Sequence, residues 1–502
     1  MRKKYLSGGV TCLLLSLIAV GTSVPVYAAN PGTSDTQTIN VSNIAGAAKV
    51  TAYRIVKPTY GANGLTGYSP ANGVSLADIE HPTAAETTAI ARKIRSGEIS
   101  GLESYKMSQS GDTYSGSLPA GEFIVLVTDQ DNAEYVYNPM IVSNYYSNAN
   151  DGSSLKSAGD LDGSGAFKEG ENTVYVKRSK IPFDKEIADP DGKFSVDDDD
   201  NTGGQSDDLG VGDTGKFKIT TAIPAYSSAY SQATFRIDDN QDNGFDAPTD
   251  FTVKVDGKAV SEGDSTFKNT ITGNDFSINF KSDYILANAG KSVTVEYSAK
   301  LNSKAVTKFN ANKNTATLTY TNDLEQHTSV LRDDVSEYTF PVAVKKTTDD
   351  GINGLPGAEF TITRNNPSGG QANFTEKVTT DKDGNAVFNK LDEGTYTIKE
   401  TKAPDGYAVN DTEFTLVVTS EYNEKSGLKS YTAVLSTPSG QSSSVTVDNA
   451  DHDILVGNIT DSGLMKLPST GKSGTKVFSV VGVGIMGGAA IYLSTRRKRK
   501  TE

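Results

Sequence analysis

The residues with the clearest capacity for chemistry stand near the C-terminus. Leu467-Pro468-Ser469-Thr470-Gly471 is followed by an apolar run from Val477 to Leu493 and then by Arg496-Arg497-Lys498-Arg499-Lys500. An apolar run of this length is near the lower limit for a membrane-spanning helix, and the cations favour the cytoplasmic side. The Leu467–Gly471 segment would then be held at the outer surface of the membrane. Two further groups draw attention inside the chain. Val342, Val344 and Lys346 share one face of a strand-like run by the period of two, which leaves Lys345 on the solvent side. Ile454, Val456 and Asn458 alternate in the same way, so Asn458 is expected to face inward. An exposed lysine is protonated and cannot attack a carbonyl; burial disfavours the ammonium and, for a carboxylic acid, the carboxylate.

The N-terminus reads as an export leader. Arg2-Lys3-Lys4 precede an apolar stretch from Cys12 to Val20, and Ala28-Ala29 allow cleavage on either side of Ala29. Cys12 is the one cysteine of the 502 residues, so the mature chain would carry no disulfide. The formal charge is -14; without the leader (three cations) and the segment after Gly471 (seven cations, one acid) it becomes -23. Such a surface argues against a nucleic-acid partner. With an export leader in front, the C-terminal motif, apolar run and basic cluster resemble the cell-wall sorting signal of Gram-positive bacteria. That resemblance implies a sortase that cleaves between Thr470 and Gly471.

There is no tryptophan, Gly is plentiful, and helix patterns are few. The chain reads as all-β, in about three domains. A first unit covers residues 30–180, with strand-like Val50 to Val56 and Phe123 to Val127. Its one helix is signalled by a Thr83/Glu86 capping box, the shared face of Ile90 and Ile94, and Gly97 as terminator. A second unit covers 181–341 and contains an acidic, Gly-rich stretch (Asp197 to Asp200, then Gly203 to Asp213) that reads as a solvated connection. A third covers 342–463, with short strands at regular spacing that suggest a β-sandwich. Residues 1–29 are the leader, 464–502 the sorting signal, and 477–493 its expected transmembrane helix.

In the third unit, Tyr396-Thr397-Ile398-Lys399-Glu400-Thr401-Lys402-Ala403-Pro404-Asp405-Gly406-Tyr407 resembles the E-box of Gram-positive pilus shaft proteins. Gly357-Ala358-Glu359-Phe360 resembles the opening of their B-type collagen-adhesin domain. The resemblance implies tandem immunoglobulin-like sandwiches, A-type and B-type. It also implies an amide (isopeptide) cross-link from Lys346 to Asn458, assisted by Glu400, with ammonia as leaving group. The surface readings of the same residues are a Lys346 at a strand edge, a Glu400 salt bridge and an Asn458 turn.

The second unit resembles the A-type domain through Val211 to Pro224, Phe235-Arg236-Ile237-Asp238-Asp239 and Tyr320-Thr321-Asn322. Carried over, Lys185 is the amine, Asp239 the acid and Asn322 the acceptor; Asp238 competes for the acid role, and alternation behind Phe235 and Ile237 favours Asp239. The same resemblance places a polymerising lysine at Tyr175-Val176-Lys177-Arg178, with Lys180 as the alternative, although Val176 and Arg178 depart from the family pattern.

The implied partners are a class C sortase, a housekeeping sortase, identical subunits in a head-to-tail fibre, accessory pilins and peptidoglycan, in a pilus at the cell surface. No cofactor is implied. A wall-anchored adhesin that stays single is the alternative. An enzyme lacks support: there is no HExxH or GxSxG motif, and His81, His327 and His452 are scattered. Asp160, Asp162, Ser164 and Glu171 match oxygen-donor positions of a calcium loop, with Gly165 at its sixth position, but no helical patterns flank them.

Overall fold

A computed structural model describes residues 36–61, 64–79, 81–130, 134–146, 155–161, 167–169, 172–188, 205–367, 369–423 and 427–463. The leader, the LPSTG motif and the 477–493 run lie outside the described residues. So do Asp162, Ser164 and Glu171 and the side chain of Asp160, whose backbone belongs to the strand Leu155–Leu161. Among the described residues no helix is long and apolar enough to cross a membrane.

The all-β expectation is borne out: strands dominate, and they pack around three main apolar cores. In the N-terminal part, a sheet ordered Thr173–Tyr175, Thr36–Ser42, Thr113–Pro119, Ser108–Ser110 faces a larger sheet centred on Gly121–Thr128 and Lys49–Gly61. Every residue of Gly121–Thr128 is buried. Phe123 and Val125 face the first sheet, while Ile124 and Leu126 lie under a helix, so both faces of the strand are covered. That helix is Ala84–Ser96. Thr83 caps it, Glu86 completes the box, and Gly97 ends it at φ 77°, a conformation glycine adopts without strain.

The middle part is a sandwich. One sheet runs Phe183–Ile187, Thr214–Ala222, Ser292–Lys300, Thr249–Val255, Lys258–Ala259; the other runs Gln205–Asp208, Thr328–Tyr338, Asn312–Thr321, Phe235–Gln241, Asp275–Phe280, Phe267–Thr272. The C-terminal part sets a three-stranded sheet, Asn385–Leu391, Phe340–Thr348, Leu455–Asp461, against a six-stranded one that includes Glu359–Arg364 and Gly394–Lys402.

The acidic stretch after residue 204 is not a solvated connection. Gln205–Asp208 forms a parallel ladder with Thr328–Tyr338, and Asp213 is fully buried against the C-terminal sandwich. Arg364 grips it in a fork: Nη1 to Oδ1 at 2.7 Å and Nη2 to Oδ2 at 2.8 Å. The backbone amides of Gly210 and Ala372 donate to the same carboxylate at 2.8 and 2.6 Å. Asp392 stands 3.4 Å from the Arg364 Nη2. A planar guanidinium is needed to satisfy this carboxylate twice. The N-terminal part meets the middle one through a second polar joint, where His327 lies 2.8 Å from Asp323 and 3.2 Å from Asp129. Arg364→Ala is expected to strand the buried Asp213 charge and cost about 3–5 kcal/mol. The measurement is thermal or denaturant unfolding of the ectodomain, and an unchanged midpoint would refute the role given to the fork.

Candidate functional site

Lys185 lies on the opening strand of the middle sandwich, where Phe183, Lys185 and Ile187 all point into the core. Its side chain is wholly buried. The amine pairs with the Asp239 Oδ2 and donates to the Tyr297 hydroxyl at 2.6 Å. The rings of Phe217 and Tyr297 lie 5.6 and 5.2 Å from the nitrogen. Asp239 faces inward, as the alternation from Phe235 and Ile237 predicts, whereas Asp238 is half-exposed and pairs with Arg236 at 2.8 Å. Burial pushes the Lys185 amine below the ordinary lysine range, against the opposing pull of Asp239, and pushes the Asp239 carboxyl upward. Both shifts favour the neutral pair, a free amine beside a protonated acid.

Asn322 does not join this cluster. On the Asn312–Thr321 strand, Ala316 is opposite Asp239 and Tyr320 is opposite Phe235. Asn322 follows that end, about 20 Å along the strand direction from the Asp239 level. There its Nδ2 donates to the Ser329 Oγ at 2.6 Å and its backbone carbonyl accepts from the Gln130 Nε2. The asparagine at the cluster is Asn314. It is fully buried, its Nδ2 donates to the Tyr297 hydroxyl at 2.7 Å, and its Oδ1 has no partner. Sequence reasoning missed it, although Asn312, Asn314, Ala316, Leu318 and Tyr320 form one inward-facing series. Period two placed both asparagines on the correct face; only the ladder register chooses between them.

Lys346 stands on the opening strand of the C-terminal sandwich, also wholly buried. Its amine is 3.1 Å from the Glu400 Oε2 and 2.5 Å from the Asp461 Oδ1. Glu400, on the facing sheet, accepts the Asn410 amide at 2.7 Å, and burial pushes its carboxyl upward. The Phe360 ring lies 5.7 Å from the Lys346 nitrogen. Asn458 is exposed and sits opposite Lys345, not Lys346. The cause is a bulge. Ala343 pairs with Leu455 but Val344 pairs with Gly457, so Val456 is an extra residue and every later side chain changes face. Ile459 and Asp461 therefore point inward, and Asp461 takes the place expected for Asn458. Gly457 beside the extra residue was the available signal, since glycine within a strand often marks a bulge.

Each core thus holds a lysine amine, a carboxylic acid and a second carbonyl-bearing side chain. Displacement at Asn314 would release ammonia; displacement at Asp461 would release water.

Lys177 and Lys180 are both exposed. Lys177 occupies the gap between the strands Thr173–Tyr175 and Arg178–Lys180, and its carbonyl accepts the Asn138 amide at 3.2 Å. Tyr175 is 58% exposed while Val174 and Val176 are buried, so Tyr175 and Lys177 share the solvent face of this short segment. Asp129, Glu325 and His327 are the one group among the described residues with spacing suited to a metal. Lys49 and Arg95 pair with its carboxylates, which makes it an ion-pair joint.

Asp461→Ala is expected to leave the Lys346 and Glu400 pair without its third member and to lower the unfolding midpoint markedly. Asn458→Ala should fall within about 0.5 kcal/mol of the parent, as an exposed substitution. Equal effects in parallel thermal melts would contradict the register described above.

Three family models match the chain. Residues 34–177 match the T6 antigen Ig-like domain, residues 340–430 the prealbumin-like fold domain, and residues 460–501 the LPXTG cell wall anchor motif. The chain is 25% identical to the trypsin-resistant surface T6 protein of Streptococcus pyogenes serotype M6, over 92% of this chain and 95% of that one. Its fold resembles the three-domain T6 backbone pilin of serotype M6 Streptococcus pyogenes at TM-score 0.62, with 20% identity over 86% of this chain and 100% of that one. The full-length major pilin SpaD of Corynebacterium diphtheriae aligns at 16% identity and TM-score 0.47, over 87% of this chain and 99% of that one. The expected resemblance to wall-anchored backbone pilins is borne out, and the anchor motif assigns the chain to the bacterial cell surface.

Proposed function

We propose that this chain, a wall-anchored pilin of the Gram-positive backbone type, is the shaft subunit of a covalent pilus. A class C sortase cleaves Thr470–Gly471 and joins the Thr470 carbonyl to the Lys177 amine of the next subunit, with Lys180 as the alternative. A housekeeping sortase transfers the finished fibre to peptidoglycan, accessory pilins decorate it, and the pilus serves adhesion and colonisation. Two internal amide bonds brace each subunit. The observation that carries this reading is the pair of fully buried lysines, each on the first strand of a sandwich and each against an acid and a second carbonyl group.

In the middle sandwich the neutral Lys185 amine attacks the Asn314 Cγ. A carbon–nitrogen bond forms, the old one breaks, and ammonia leaves; Asp239 lies against the amine as the assisting acid. In the C-terminal sandwich the Lys346 Nζ bonds to the Asp461 Cγ, one Cγ–Oδ bond breaks with Glu400 as the assisting acid, and water leaves. The second bond spans 115 positions. By analogy with disulfides, closing a loop of about 100 residues contributes on the order of 4–5 kcal/mol through the unfolded state. It also routes tension along covalent bonds between strands at opposite ends of the domain.

Intact-mass spectrometry of residues 30–463 is expected to read one ammonia and one water below the sequence mass. Lys185→Ala should restore the ammonia and Lys346→Ala the water; an unshifted parent mass overturns both bonds. In cells, Lys177→Ala should collapse the high-mass ladder on denaturing gels to monomer. An intact ladder moves the linkage to another lysine, and a parent strain with no ladder favours the single adhesin.

A further inference from the structure

The middle cluster contains a group that the lysine, acid and asparagine scheme leaves unused. The Tyr297 hydroxyl contacts all three members: Lys185 Nζ donates to it at 2.6 Å, Asn314 Nδ2 donates to it at 2.7 Å, and it donates to the Asp239 Oδ1 at 3.0 Å. We propose that Tyr297 is a catalytic residue of the Lys185–Asn314 bond, carrying the proton from the attacking amine to the departing amide nitrogen. This inference rests on the cross-link reading above.

Asp239 lies against Nζ but makes no hydrogen bond to Nδ2, so the transfer between the two nitrogens needs a carrier that reaches both. A neutral amine and a carboxamide become a secondary amide and ammonia, so one proton moves from Nζ to Nδ2. The Tyr297 oxygen touches both nitrogens. As Nζ bonds to Cγ and Nδ2 becomes tetrahedral and basic, the phenolic proton turns from the Asp239 Oδ1 to Nδ2 and passes to it, while the oxygen takes the Nζ proton. The C–Nδ2 bond breaks, ammonia leaves, and Tyr297 returns to its starting form.

The ring is built to hold the hydroxyl still. It stacks on Phe217 and Phe251, with centroids 5.3 and 5.7 Å away, and Phe276 meets it edge-on at 4.9 Å. It is 2% exposed. Burial pushes its phenol well above the ordinary tyrosine range, which keeps the proton available for transfer. A phenylalanine would pack in the same slot but leave the amine and the amide nitrogen without this common partner.

The test follows ammonia loss by intact mass after expression of residues 30–463, with water loss in the C-terminal sandwich as internal control. Tyr297→Phe is expected to slow ammonia loss by roughly 10²–10⁴-fold, the usual contribution of a positioned proton carrier, and to leave water loss unchanged. Tyr297→3-fluorotyrosine, which preserves packing and acidifies the phenol, should change the rate and its pH profile without moving the melting temperature; it decides the matter if the phenylalanine variant misfolds. Parent-like ammonia loss in either folded variant overturns the role of Tyr297 while the cross-link reading stands. Absence of ammonia loss in the parent removes the cross-link reading itself.

Discussion

Two lysine amines with no access to water are the constraint from which the rest of this structure follows. Desolvating an ammonium costs several kcal/mol even after the surroundings relax, and a single carboxylate recovers only part of it. A sandwich that merely needed stability would do as well with a leucine at either position. The arrangement becomes economical if the charges are transient. Around Lys185, burial drives amine and acid toward their neutral forms, and on the proposed reading the neutral forms react to an amide with no charge left to desolvate. The same dry core that disfavours the Lys185 ammonium would then make its amine a nucleophile.

The two sandwiches use different geometry for this end. In the middle one, Lys185 and Asn314 belong to opposite sheets, and a tyrosine hydroxyl from Lys185's own sheet lies between them. In the C-terminal one, Lys346 and Asp461 belong to neighbouring parallel strands of one sheet, while the assisting Glu400 comes from the other. The first bond would tie sheet to sheet. The second would tie the opening strand to the last. In the C-terminal one, a pull on the chain ends would load the covalent bond before it loaded ladder hydrogen bonds.

A fibre also needs joints between domains. The buried Arg364–Asp213 fork makes the boundary between the middle and C-terminal sandwiches a packed, directional contact. A fork satisfied at both carboxylate oxygens resists rotation as well as separation. Backbone bonds reinforce it: Thr214 N donates to Gly370 O at 2.9 Å and Val211 N to Lys390 O at 3.2 Å. The other joint sets the half-exposed His327 and Asp129, whose ion pair is individually weak, against the buried Asp323.

Much of this was legible in the chain. Period-two alternation gave Lys185, Asp239 and Lys346 their inward faces because a strand's side chains alternate whatever it pairs with. The Thr83 and Glu86 box with Gly97 marked the helix because capping is local chemistry. The anchor motif could be read directly, since its residues, charge and hydropathy carry the signal. The partners that close each site were decided by tertiary structure. Asn314 and Asn322 have the same parity on one strand, and only its register against Phe235–Gln241 brings Asn314 to the cluster. Asp461 replaced Asn458 because one bulged residue, Val456, reverses the faces of everything after it. Asp213 moved from a solvated loop to a buried fork because Arg364, 151 positions later, waits on another domain. Local pattern fixes which way a side chain points; which side chain it meets depends on pairings between distant segments.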